Sequence, residues 1–269
     1  MSMQLNLTLF PYLEPLLHVH EQDNQQPDNL CGPYWISLLL QAYGNLSVSA
    51  VEVALKASTI LPSHGDPADW IPPSATSHLG PGYDRIPTVS DIAACGTSIT
   101  GLIQATEQLS QGRFCLLPLQ SNTWIGALTA VWHLCHTHPE WQVVPLLNPH
   151  TSYFLGSTLT PRQLFNNLES SAIASPPPNW SVGHFALLIG QLQGNANSLY
   201  ALLDTYPHFG WNGIHLQPPN ALVQSLQRPN QDTQGGIALF VASELRSRLE
   251  PLLENHTLKI KPWDNGTPT

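Results

Sequence analysis

Apolar residues recur at short intervals through the first twenty positions (Leu5, Leu7, Leu9, Phe10, Leu13, Leu16, Leu17), which predicts a segment packed on the body of the fold. A polar run from Glu21 to Asn29 follows and reads as a loop. From Cys31 to Gly44 the residues Tyr34, Trp35, Leu38, Leu39 and Ala42 return at helical spacing. Pro33 is tolerated in the first turn, Asp28 or Asn29 can cap that helix, and Gly44 suits its end. A second helix is expected over Ser49 to Thr59. Residues 61–87, rich in Pro, Gly, Ser and His, read as a long loop, a feature more often functional than incidental. Residues 89–111 read as helix, with Ile92, Ile99, Leu102, Ile103 and Leu109 on one face and Thr97-Ser98 as a cap at 99–109.

The pattern then changes. Phe114–Leu119 and 141–147 read as strands around a helix at 124–137, and Thr160-Pro161 opens a helix that runs to about Ala172. Four short apolar runs follow, Phe185–Gly190, Leu199–Leu203, Gly213–Leu216 and Gly236–Val241, separated by turn residues. A last helix, Ser243 to Glu254, precedes a polar tail, 255–269, expected to fray. Helices first and strands later predict an α+β fold over residues 1–254. Its helical lobe would span about 1–112 and its β-rich lobe about 113–254, with 113–172 as an elaboration.

Composition narrows the function. Only 10% of the 269 residues are charged, against roughly 25% in an average domain, so Asn, Gln, Ser, Thr and Pro must build much of the surface. The net charge of −9 argues against nucleic acid or an anionic membrane as partner, since both need a basic face. The 25 prolines, close to twice the usual roughly 5%, predict long irregular connections. Residues 1–11 show no basic flank and apolar core of a secretory signal, and a cytoplasmic protein is expected. Four cysteines without C-x-x-C spacing favour neither a disulfide framework nor structural zinc.

Cys31 carries the candidate chemistry. It opens an apolar helix, where unpaired N–H groups favour an anion, and a nearby imidazolium would favour the thiolate further. His184 begins one apolar run and Asp204 ends the next. Adjacent antiparallel strands bring such ends side by side, so Asp204 can orient the His184 ring. An acyl-transfer site also needs an oxyanion donor. Gln25 and Gln26 precede Cys31 closely, with Gln22 as a third candidate. Trp35, Tyr206 and Trp211 are candidate substrate contacts, and this neutral, aromatic set suggests recognition without charge pairing.

The order Gln, Cys31, Gly183-His184-Phe185-Ala186, Asp204-Thr205-Tyr206 and Gly210-Trp211-Asn212-Gly213 resembles the papain-like cysteine peptidase superfamily. The likeness extends to double-glycine leader peptidases and phytochelatin synthases, which use Asp as the third member. It covers three short windows, and Gly32 stands where papain-type enzymes carry Trp after the nucleophile. The resemblance implies a papain-like two-lobe fold, with the Cys31 helix packed on a C-terminal antiparallel sheet. It also implies a cysteine-dependent hydrolase or acyltransferase acting on a peptide or peptide-like amide through a thioester. The alternatives are an inactive peptide-binding module of the same fold and a peptide-tailoring transferase.

Other clusters weigh less. His133, Cys135, His136 and His138 lack an accompanying carboxylate or second ligand pair, so no metal or other cofactor is expected. His208 and His215 are alternative bases if the register differs. Cys95, Cys115 and Cys135 read as core residues.

Overall fold

The structure is a computed structural model. It describes residues 6–267 except 24, 66–69, 74, 156–161, 163, 165, 167, 169–179 and 230. Its elements run β1 (Asn6–Leu9), α1 (Glu14–Asp23), α2 (Cys31–Gly44), α3 (Ala50–Lys56), β2 (Leu61–Pro62), β3 (Thr88–Val89), α4 (Ile99–Leu109), β4 (Phe114–Gln120) and α5 (Trp124–Thr137). The second half adds β5 (Val144–Leu147), β6 (Ala186–Gln193), β7 (Ser198–Leu203), β8 (Ile214–Gln217), α6 (Pro219–Gln227), β9 (Ile237–Ala242), α7 (Arg246–Asn255) and β10 (Lys259–Ile260). The fold is mixed α+β. The helix expected at 160–172 lies mostly outside the described residues, although 162, 164, 166 and 168 are helical.

One large antiparallel sheet runs β10-β4-β9-β5-β6-β7-β8, and β1 pairs with the far part of β6. Its inner strands are buried along nearly their whole length, because helices cover both faces instead of leaving one to water. The late strand β9 is inserted between β4 and β5. Residues 113–172 are therefore no elaboration, since they supply two inner strands of the sheet. The tail beyond 255 is not frayed either. Leu258 and Trp263 are buried, β10 pairs with β4, and the Asn265 amide donates to the Thr97 carbonyl at 3.0 Å.

Helix α2 is buried without a break from Gly32 to Leu40 and is flanked by α1, α3 and α4. A helix apolar all round belongs in a core. Neither Asp28 nor Asn29 caps it. Leu30 holds the cap position without a side-chain bond, while the Asp28 carboxylate accepts the His78 N–H at 3.1 Å and the Ser77 hydroxyl. Gly44 is its last helical residue, and Asn45 makes the left-handed exit. Helix α3 starts with a complete capping box, Ser49 with Glu52. Helix α4 begins only at Ile99, capped by the Ser98 hydroxyl, and Ile92 is exposed on a separate short turn. Leu7 is exposed while Phe10, Leu13 and Leu16 are core, and Leu5 lies outside the described residues. Among the described residues no helix is long and apolar enough to cross a membrane.

Candidate functional site

Two hydrogen bonds lock the Cys31 segment to the strand ends. The Gln26 N–H donates to the Thr205 carbonyl at 3.2 Å, and the Trp35 indole N–H donates to the Phe185 carbonyl at 3.0 Å. Gly32 permits the close approach, because a Cβ there would lie 2.9 Å from Leu102 Cδ1 and 3.1 Å from the Phe185 ring. Pro33 adds no N–H to the first turn, whose remaining N–H groups point out of the helix end at Cys31. Cys31 is thus partly exposed at the tip of an otherwise buried helix.

His184 immediately precedes the segment leading into β6, and Asp204 follows β7. The two strands pair antiparallel with Leu187 opposite Leu203. The register brings the two side chains together as the spacing predicts. His184 Nε2 lies 3.1 Å from both carboxylate oxygens of Asp204. The ring's other nitrogen, Nδ1, makes no bond to Asp204, and Cys31 lines the same cleft as His184. Burial disfavours the imidazolium, but the Asp204 charge and bond outweigh it, with Cys31 acting in the same direction, and push its pKa up to about 10. Burial likewise opposes ionisation of Asp204, yet His184 first, and His215 after it, hold the carboxyl well below the usual carboxylate range. The Tyr206 N–H, 3.1 Å from Asp204 Oδ1, adds a further donor to that carboxylate.

His215 is not an alternative base. It packs behind Asp204, with Nε2 3.5 Å from Oδ2. Its tautomer follows from its other neighbours. The Leu155 N–H donates to Gln217 Oε1 at 2.9 Å, so Gln217 presents its Nε2 donor to His215 Nδ1, also at 2.9 Å. That nitrogen must accept, which leaves the proton on Nε2, facing Asp204. Burial keeps His215 neutral by lowering its pKa. His208 is exposed and takes no part.

The glutamines separate clearly. Gln25 donates its amide to the Thr76 carbonyl at 2.8 Å, and exposed Gln22 bonds His18, so neither serves Cys31. Gln26 is buried and lines the cleft with Cys31 and His184. Its Nε2 donates to the Tyr206 hydroxyl at 3.0 Å, and its Oε1 has no partner. Tyr206 also lines the cleft, while fully buried Trp35 is a structural tie rather than a substrate contact. Trp211 is 47% exposed and lies outside the cleft.

The cleft has a volume of about 340 Å³. Three parts of its wall were not expected from sequence. Trp180 packs on His184 with ring centroids 4.8 Å apart. Asn148 donates to the His184 carbonyl at 3.2 Å, and the His184 N–H donates to the Pro149 carbonyl at 2.9 Å. The last described residues, Asn265 and Thr267, also line the cleft. For Asn148 a sequence signal existed: Asn148-Pro149-His150 is a polar cluster where an apolar strand ends. Trp180 closes a Pro-rich stretch without periodicity, which hid it.

Cys95 is partly exposed and lines the cleft, so it is not a core residue, whereas Cys115 and Cys135 are buried as expected. The His133–His138 cluster resolves into packing. His136 stacks on Trp132, His138 stacks on Trp141, and the Cys135 thiol donates to the Val143 carbonyl at 3.4 Å. Among the described residues no group of three or more His, Cys, Asp or Glu could hold a metal ion.

Comparison with curated proteins gives no match. A family model described as a family of unknown function, DUF6885, matches residues 10–264, nearly the whole length, and the chain belongs to that family.

Proposed function

We propose that this protein is a cysteine-dependent hydrolase or acyltransferase of papain-like two-lobe fold, acting on a peptide or peptide-like amide through a thioester. The observation that carries the reading is the shared cleft of Cys31 and His184, with the partly exposed thiol at a helix N-terminus and the buried Asp204 carboxylate bonded to Nε2 of the imidazole. A purely structural His184–Asp204 pair has no need to face a cleft that also exposes a thiol.

The chemistry follows from the donors. The Cys31 thiolate attacks the amide carbon, and the carbonyl electrons move to oxygen. That oxygen is met by the first-turn N–H groups and by the second amide hydrogen of Gln26. As the C–N bond breaks, His184 Nδ1–H protonates the leaving amine. Water, or a second amine, then gives a proton to Nδ1 and attacks the thioester, releasing Cys31 as thiolate beside a restored imidazolium. Asp204 stays ionised and holds the ring throughout. The four free thiols suit a reducing, cytoplasmic setting.

The test is labelling at pH 7 with iodoacetamide, read by peptide mass. Cys31 should react faster than glutathione and faster than Cys95, and His184→Gln should slow it by roughly 10²-fold or more. Reaction of Cys31 at the glutathione rate, unaffected by His184→Gln, would reject the reading. Once a substrate is found, product analysis in water against added amine separates hydrolysis from transfer.

A further inference from the structure

The wall of the cleft has an unusual charge pattern. The chain holds 18 acidic and 9 basic residues, yet among the described residues lining the cleft none is Asp or Glu. Behind that wall lies a buried cation. Arg228, just past the end of α6, is 2% exposed. Its Nη2 donates to Asn148 Oδ1 at 2.6 Å and to the Asn148 carbonyl at 3.2 Å. Its Nη1 donates to Thr233 Oγ1 and to the Asn265 carbonyl, each at 3.3 Å, and its Nε has no partner.

All these acceptors are neutral. Among the described residues the close approaches of a basic to an acidic side chain are His138–Glu140, His184–Asp204, Arg246–Glu250 and the uncharged His215 beside Asp204, and Arg228 is in none of them. A buried charge without a counter-charge is costly, and proteins rarely keep one without a use. The position indicates the use. A Cβ placed on Gly183 would be 3.5 Å from Arg228 Nη2, and Gly183, Asn148 and Asn265 all line the cleft. The cation therefore sits one residue's thickness behind the wall beside His184. Asp204 does not cancel it, being already engaged by His184 and His215.

We propose that the substrate carries a carboxylate, seated against the Asn148–Gly183–Asn265 side of the cleft, where Arg228 supplies the opposing charge. This rests on the thiol chemistry above and names its substrate class: an amide whose neighbouring group is anionic, such as a peptide C-terminus or an acidic side chain. It replaces the neutral recognition expected from the aromatic and amide residues. Asn148 transmits the charge, since its side-chain oxygen accepts from Arg228 while its amide faces the His184 carbonyl.

Iodoacetate and iodoacetamide test it, being alike in size and differing by one charge. The ratio of their rates at Cys31 is compared with the same ratio for glutathione. A unit charge about 10 Å away at an effective dielectric near 20 corresponds to roughly a tenfold factor. The full-length chain should therefore exceed the glutathione ratio about tenfold. Arg228→Gln should remove most of that excess. Asn148→Asp, which places a counter-charge beside Arg228 without emptying the site, should remove it too and guards against a variant that fails to fold. In the unaltered protein, N-acetylglycine should protect Cys31 from iodoacetamide better than N-acetylglycinamide. A fast iodoacetamide reaction with a glutathione-like ratio would overturn the anionic preference alone. So would a raised ratio that folded variants leave unchanged. A slow iodoacetamide reaction would overturn the thiol reading and this inference with it.

Discussion

Trp35 and Phe185 are joined by one hydrogen bond, from the indole N–H to the backbone carbonyl at 3.0 Å, across 150 positions of sequence. That bond ties the second turn of the nucleophile's helix to the residue after His184. Both ends are buried, so the carbonyl has no water to turn to if the donor is lost. Trp35→Phe should destabilise the fold by about 1–3 kcal/mol in urea unfolding. It should also slow Cys31 alkylation in protein that remains folded. Unchanged alkylation would show that the thiol and the imidazole are aligned by other contacts.

Gly32 is the close-packing point beneath Cys31. A methyl group there meets Leu102 and the Phe185 ring at 2.9–3.2 Å, which is inside ordinary contact distance. Gly32→Ala should cost about 1–3 kcal/mol by overpacking, measured as a lowered urea midpoint at constant slope. The helix must shift to relieve the clash, so Cys31 should lose reactivity beyond what the loss of stability explains.

His215 is a positioning residue acting through Asp204. Its Nε2–H helps keep the carboxylate ionised, so removing it raises the Asp204 pKa. In His215→Phe, the acid limb of the alkylation profile should move to higher pH and the rate near neutrality should fall, because the ring N–H 3.5 Å from Oδ2 no longer faces the carboxylate. Gln217→Leu frees the His215 tautomer and should give a weaker shift of the same sign. A mutation that merely loosened packing would lower the rate without moving the limb.

Stability should peak slightly on the acid side of neutrality. His184, raised to about 10 in the folded state, contributes stability that is whole below about pH 6.5 and is lost as pH climbs through 10. His20 is lowered to about 4 by burial, which Asp204 only partly opposes. His150 is also lowered to about 4, by burial and then by Arg228. The unfolded chain binds protons at both of these sites first, so stability falls as pH drops from about 6.5 through 4. Melting temperature against pH should show both slopes. His184→Gln should flatten the alkaline one and His20→Gln the acid one, whatever each does to the height of the curve.

The sequence made the Cys31, His184 and Asp204 set legible because each member sits at the end of a strongly patterned element. Cys31 opens an apolar helix, and His184 and Asp204 bracket two β runs whose antiparallel pairing follows from their spacing. What surrounds them was not legible, because it depends on which strand lies next to which. Nothing local says that β9 slips between β4 and β5, or that Asn265, expected in a loose tail, bonds the Thr97 carbonyl and forms cleft wall. The helical reading of 89–111 is too long because Ile92 fits the apolar period, although it sits on a separate short turn, exposed in the cleft lining. Gln25 and Gln26 could not be told apart one residue from each other. The backbone bond from Gln26 to Thr205 decides which of them faces inward.

The placement of β9 governs when the sheet is complete. Its neighbours, β4 and β5, are made ninety or more positions earlier and must wait for it, and residues 258–267 come later still. A nascent chain on the ribosome thus carries Cys31 before the crevice around it is finished. Such distant pairings make assembly slow. The same delay leaves Cys31 without its finished surroundings until residues 258–267 have been made.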